Sequence, residues 1–215
     1  ELGRVRGVPE AALSSMASSR AFAAQAVAQM NGAARAKSYL GYSDTGFLLG
    51  ALYRHGIGRV AHGPLAGDIR REGGAEAIAR ALDWLKGKDN GLEPGLDGRP
   101  AAAFNLTTLA MLVGTDLAPD LSGHVVMVEE VAEHLYAIDR LFFHLTQHLR
   151  SIAGLRLGRI SEVPENDRPF GKDEVAIVRD WCARSGIPYL GRADIGHDAA
   201  NKIVPFGLEA RAARA

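Results

Sequence analysis

Ser38-Tyr39-Leu40-Gly41-Tyr42-Ser43-Asp44-Thr45-Gly46 is the stretch on which the reading of this chain turns. Ser38 to Gly41 reads as a short strand that ends in a turn. Thr45 to His55 then reads as a helix, with Phe47, Leu48, Ala51 and Leu52 along one side and Gly56 as its stop. A serine between a strand and a helix sits on a tight turn with its hydroxyl pushed out of the sheet, the logic of a nucleophile elbow. Gly41 and Gly46 let strand and helix approach closely, although the spacing is Gly-x-Ser-x-x-Gly rather than Gly-x-Ser-x-Gly. The helix aims its first N–H groups at the serine, which makes the Asp44 N–H a candidate oxyanion donor. The competing reading is an ordinary helix N-cap, since Ser, Asp and Thr are all favoured there.

Outward from this turn, strands alternate with helices, which predicts an α/β protein. Ile57 to Ala61 reads as a strand ending at His62-Gly63-Pro64, and Ala75 to Leu85 as a helix. The Gly- and Pro-rich segment 87–100 reads as a linker between a unit at 1–86 and a unit at 101–215. In the second unit Leu106 to Val113 reads as a helix. Val125 to Val128 is an apolar run typical of a strand buried on both faces, stopping at Glu129-Glu130. A long amphipathic helix follows from Leu135 to Leu145, then a strand at Leu155–Ile160, a helix at Lys172–Arg184 and a strand at Ile187–Leu190. Gly191 to Gly207 reads as a polar loop. A helix over Ala11–Met30 is weakened by Ser14, Ser15, Ser18 and Ser19.

The composition excludes several classes of function. The 25 basic and 25 acidic residues cancel, which argues against a nucleic-acid binder. One cysteine excludes a disulfide framework and every Cys-rich zinc site. No apolar run approaches the ~20 residues of a membrane span, and Glu1-Leu2-Gly3-Arg4 opens no apolar leader. These features fit a reducing cytoplasm. The chain starts without Met, which fits part of a longer protein.

A serine nucleophile needs a base, and the chain has seven histidines. His197, in Asp194-Ile195-Gly196-His197-Asp198, follows a buried strand, where α/β sheets place their sites. His62 ends a strand and is expected to line a cleft. His144 and His148 are four apart on a helix, but no third ligand accompanies them, so a solvated face is expected and no metal. His124 and His134 read as structural. Glu129 ends the apolar run and reaches the sheet edge where it would orient a histidine, with Glu130 on the opposite face. The alternative is that both glutamates open the next helix. Cys182 reads as a packed small hydrophobe. Asn105-Leu106-Thr107 fits a glycosylation sequon, which a cytoplasmic chain would not use. No phosphate loop, dinucleotide fingerprint or cofactor motif is present.

These residues, taken in order, resemble a known family. Tyr39-Leu40-Gly41-Tyr42-Ser43-Asp44, His62-Gly63-Pro64, Asn105-Leu106-Thr107 and Gly114-Thr115-Asp116 with Pro119-Asp120-Leu121 and Gly123 come first. Val128-Glu129-Glu130-Val131, Tyr136-Ala137-Ile138-Asp139-Arg140 and Gly196-His197 with Pro205 and Gly207 follow. The chain resembles the LD-carboxypeptidases, or muramoyltetrapeptide carboxypeptidases, serine peptidases of the S66 type. The resemblance implies an N-terminal nucleophile domain, of which this sequence carries a part, and a C-terminal α/β domain, with the active site between them. It implies Ser43 as nucleophile, Glu129 as the orienting acid and His197 as the base. It further implies a cytoplasmic homodimer that needs no cofactor and recycles murein tetrapeptides by releasing a terminal D-alanine. Two departures stand out. Only 42 residues precede Ser43, and nothing in Glu1 to Ala36 matches the family's Arg-Gly-Gly-Tyr-Gly motif, whose backbone N–H is an oxyanion donor; such a donor is worth ~2.7–4 kcal/mol. Glu130 stands where the family usually has Asp. Two other readings remain open: a microcin-immunity-type hydrolase of peptidyl- or aminoacyl-nucleotides, and a non-catalytic binding module.

Overall fold

The structure, a computed structural model, describes residues 20–165 and 167–208. The start of the helix expected over Ala11–Met30 lies outside them; helix α1 spans Arg20–Gln29. The strand–turn–helix around Ser43 forms as the sequence predicts, with β1 at Ser38–Gly41 and α2 at Thr45–Arg54. Strand β2 (Arg59–His62) pairs parallel with β1, so that Gly41 lies beside His62. Helix α3 (Gly74–Leu85) follows.

Four parallel strands make the second sheet: β3 (Ala101–Asn105), β4 (Val125–Val131), β5 (Gly154–Ser161) and β6 (Tyr189–Arg192), in the order β3-β4-β5-β6. Their crossovers are α4 (Leu106–Leu112), α5 (Leu135–His148) and α6 (Glu174–Ser185). Local chemistry sets the ends of these helices. The Asn105 side chain accepts from Thr108 N to cap α4, and Asp173 accepts from Ala176 N to cap α6. Gly186 closes α6 in the left-handed conformation, at φ 71°.

A final short strand, β7 (Val204–Pro205), joins the sheets. It pairs antiparallel with β2, and just beyond it Gly207 exchanges two backbone hydrogen bonds with Ala101 of β3. Strands β2 and β3 are therefore parallel to each other, and the carboxyl ends of β1 to β6 share one edge. By alternation Pro205 faces β3 but has no N–H to give, so the junction rests on Gly207.

The sheet is buried on both faces, as the apolar run in β4 predicts. On one face Phe104, Val126, Val128, Leu155 and Leu157 meet Leu49 and Leu52 of α2, Leu109 of α4, Phe142 of α5 and Ile177 of α6. On the other, Ala101, Ala103, Val125 and Met127 meet Ala193, Ile195 and Val204. Among the described residues no helix is long and apolar enough to cross a membrane.

Three expectations need correction. Ala101–Asn105 is a strand that the sequence reading passed over. Gly191–Gly207 is not all loop, since it holds the end of β6 and all of β7. Strand β4 does not stop at Glu129-Glu130 but runs to Val131, so the glutamates do not open α5. The chain tolerates a carboxylate at Glu130 because four donors surround it: Asn105 Nδ2 (2.6 Å), Thr107 N (2.9 Å), Thr107 Oγ1 (2.7 Å) and Val131 N (2.9 Å). Segment 87–100, expected as the connection between the two units, makes contacts of its own. Leu92 bridges to Ile203, and buried Glu93 takes Arg156 Nη1 at 2.6 Å and the Asp194 N–H at 3.0 Å.

Candidate active site

Ser43 takes a left-handed backbone, φ 57°, on the turn between β1 and α2. That conformation costs a non-glycine residue about 1–3 kcal/mol and persists only where its surroundings impose it. Here the Ser43 carbonyl accepts from Gly46 N at 2.9 Å, and the Tyr42 carbonyl accepts from Thr45 N at 3.2 Å. Helix α2 begins without a side-chain cap, and among the described residues the Ser43 hydroxyl and the Asp44 N–H have no hydrogen-bond partner. The capping alternative therefore has no geometric counterpart. The flanking glycines each answer a close approach. A Cβ on Gly46 would lie 2.9 Å from Thr108 of α4, and one on Gly41 2.8 Å from Thr45 Oγ1. The wider spacing in the motif thus reflects packing of α2 against α4.

Glu129 and His197 meet. His197 Nδ1 lies 3.4 Å from Glu129 Oε2, an ion-pair distance that is long for a hydrogen bond. Glu129 is 0% exposed, and among the described residues neither its oxygens nor His197 Nδ1 makes a hydrogen bond of good geometry. Burial pushes the Glu129 carboxyl above its ordinary range, although the imidazole pulls it back and Glu130 adds to the rise. The alternation expected for β4 holds: Glu129 shares the face of Val125 and Met127, towards Ile195, and Glu130 turns to the other. Approach on that face depends on Gly158 of β5, where a Cβ would lie 3.0 Å from Glu129 Cβ and 2.7 Å from Ile195 Cγ1.

Tyr42 ties the serine turn to the imidazole. Its ring packs edge-on against His197, with centroids 4.8 Å apart, and its hydroxyl donates to Asp68 at 2.8 Å. The loop carrying His197 is gripped from three elements. Arg71 donates to the His197 carbonyl, Arg80 of α3 to the Ala199 carbonyl, and Arg159 of β5 to Asp194 (2.6 Å) and Asp198 (2.8 Å). Burial acts against the charge on Asp198, yet the Arg159 guanidinium outweighs it and holds that carboxyl below its ordinary range.

His62 does not line an open cleft. It is 1% exposed, beneath the site, with Nε2 3.1 Å from Asn201 Oδ1. The same oxygen accepts from Gly196 N at 3.2 Å, so His62 Nε2 is the donor. Burial, assisted by nearby His197, pushes the His62 pKa from 6.5 down to about 4. The unfolded chain takes this proton near pH 6.5 and the folded one only near pH 4. Stability is therefore intact above pH 6.5 and declines by roughly 3 kcal/mol as pH falls towards 4. Urea denaturation at pH 7 and pH 4 is expected to show that His62→Gln, which keeps a donor for Asn201 but cannot titrate, loses less stability than the parent by about this amount.

The remaining sequence candidates lie elsewhere. His124 donates through Nδ1 to the Ser122 carbonyl and accepts from Tyr53 OH, a structural arrangement. His134 stacks on Tyr136. His144 donates to the Ala110 carbonyl, and its ring lies 4.7 Å from that of His148. Among the described residues no group of three His, Cys, Asp or Glu side chains is placed to hold a metal. Cys182 is buried in the core, which raises its thiol to about 11. Asn105 is 6% exposed and hydrogen-bonded, so it is no glycosylation acceptor. Sequence reasoning missed Tyr42, Asp68, Arg71, Arg159 and Asn201, which position the triad candidates from distant parts of the chain.

The site can be set beside known proteins. The murein tetrapeptide carboxypeptidase of Pseudomonas aeruginosa is 28% identical over 198 residues, 83% of this chain and 63% of its own. A relative from Synechocystis sp. is 30% identical over 184 residues, 81% of this chain and 60% of its own. The crystal structure of muramoyltetrapeptide carboxypeptidase from Oxalobacter formigenes superposes with a TM-score of 0.66 at 26% identity, covering 78% of this chain and 62% of that one. Microcin C7 self-immunity protein MccF, in complex with aspartyl sulfamoyl adenosine, gives 0.63 at 17% identity, covering 78% and 62%, a likeness of fold. The chain thus spans about three fifths of the length of these proteins. The model of the LD-carboxypeptidase C-terminal domain matches residues 101–212, a span that includes both Glu129 and His197. On that match, across more than half of its length, the chain belongs to the LD-carboxypeptidase family.

Proposed function

We propose that this chain carries a serine-type carboxypeptidase site, with Ser43 as nucleophile, His197 as general base and Glu129 as the acid that orients it. With Nδ1 turned to Glu129, the imidazole keeps Nε2 for the serine. Nε2 takes the Ser43 Oγ proton as Oγ attacks the carbonyl carbon of the scissile peptide bond. The oxyanion forms beside the Asp44 N–H at the start of α2. His197 then gives the proton to the leaving amine, and water releases the acyl group by the same route. Glu129 stays ionised and stabilises the imidazolium.

The observation that carries this reading is the orphaned pair. A fully buried carboxylate 3.4 Å from an imidazole, with no hydrogen bond to either of its oxygens among the described residues, is costly to the fold and is the kind of arrangement that catalysis explains. In this reading residues 1–86 supply the nucleophile and residues 101–215 the acid and base, divided at 87–100. By kinship with the Pseudomonas aeruginosa and Oxalobacter formigenes proteins, the bond cleaved precedes a terminal D-alanine of a murein tetrapeptide. The fold likeness to MccF keeps an aminoacyl-nucleotide as the second substrate to test. Product analysis with each substrate, together with labelling of Ser43 by a fluorophosphonate, decides the matter. Release of D-alanine and labelling are expected; absence of both leaves a binding module.

A further inference from the structure

Beside the serine turn lies a cavity of about 310 Å³, lined by Tyr42, Leu65, Gly67, Asp68, Arg70 and Arg71. This is the lower end of ligand-site volumes, enough for a small group. Two contacts make it continuous with the site: the Tyr42 ring touches the His197 imidazole, and Arg71 donates to the His197 carbonyl.

The charges in this cavity are not evenly committed. Asp68 is 3% exposed, and its oxygens are occupied. Oδ1 accepts from Tyr42 OH at 2.8 Å and lies 3.2 Å from Arg71 Nε, and Oδ2 accepts from Leu65 N at 2.8 Å. Asp68 therefore offsets Arg71, which in turn holds the histidine loop. Arg70 has no such duty: among the described residues it makes no hydrogen bond or ion pair. One uncompensated guanidinium, on an exposed residue, is left at the edge of a small recess that Tyr42, the neighbour of Ser43, also lines. A planar guanidinium matches a carboxylate with two parallel hydrogen bonds. An exopeptidase must bind the free carboxylate at the end of its substrate, on the leaving-group side of the scissile bond.

We propose that Arg70 binds the terminal carboxylate of the substrate and that this cavity receives the single small residue released by hydrolysis. The inference rests on the carboxypeptidase reading of Ser43, and a binding assay separates the two. In a Ser43→Ala background, calorimetry compares a short peptide ending in D-alanine with the same peptide ending in D-alaninamide. The free acid is expected to bind about 10- to 100-fold more tightly, the scale of hydrogen bonds to a charged partner. Adding Arg70→Ala should bring the ratio close to one, and Arg70→Lys should restore part of it. In the active protein, Arg70→Ala should lower kcat/KM for the free acid by a similar factor, mainly through KM. Equal binding of acid and amide, no binding of the acid, or a preference that survives Arg70→Ala overturns the proposal. A preference that depends on Arg70 in a protein that hydrolyses no peptide keeps the carboxylate site and removes the carboxypeptidase reading. Hydrolysis with a preference indifferent to Arg70 does the reverse.

Discussion

Ser43→Ala is expected to lower kcat for D-alanine release by roughly 10⁴- to 10⁶-fold, the range seen when the nucleophile of a serine triad is removed. The residual rate comes from substrate binding and from the oxyanion donor, which the substitution leaves in place. Stability is expected to change little, within about 0.5 kcal/mol. Among the described residues the lost hydroxyl has no hydrogen bond, and alanine is as strained at φ 57° as serine. Ser43→Gly should be equally inactive yet more stable by about 1 kcal/mol, because glycine adopts this backbone without penalty. Turnover assays and thermal melts on the two variants read both effects. A Ser43→Ala protein with a tenth or more of the parent activity takes the residue out of the mechanism.

Glu129→Gln is expected to cost roughly 10³- to 10⁴-fold in kcat, since an amide neither stabilises the imidazolium nor enforces the tautomer. The same change should stabilise the fold at neutral pH. Burial raises the Glu129 carboxyl, so the folded protein holds this proton to higher pH than the unfolded chain. The stability it lends is complete below the ordinary glutamate value of 4.5 and is lost as pH rises through the folded value. Glutamine carries no charge to bury and escapes that loss. Urea midpoints should therefore favour the variant at pH 7 and converge at pH 4. A variant weaker than its parent at pH 7 would show that the carboxylate supports the fold, against the functional account of its burial.

The parts of this molecule legible in its sequence are those whose signal is local. The β1–Ser43–α2 unit could be read because strand, turn and helix residues follow one another within a few positions. Strand β4 could be read because four consecutive apolar residues need no partner to be recognised. Strand β3 could not, because three alanines in succession carry no strand preference; they serve here because small side chains fit between the sheet and its neighbours on both faces. Strand β7 was hidden by Pro205, which ordinarily argues against a strand and is accommodated at a junction where half the ladder is missing. In the site, Ser43, Glu129 and His197 lie at turns or strand ends that motifs mark. Their supports do not. Asn201 reaches His62 across 139 positions and Arg71 reaches His197 across 126, and nothing near any of these residues in the chain announces the partner.

Strand β7 also sets an order of events during synthesis. It fills the gap between β2 and β3, yet it leaves the ribosome after both, and after the nucleophile, the acid and the base. Until it arrives the two sheets have no shared ladder, and only side-chain packing, chiefly of α2 against α4 and β3, holds them together. Long-range pairing of this kind is slow to form. Among the described residues β7 is the strand furthest along the chain, so the ladder that joins β2 to β3 closes only once both of them have been made.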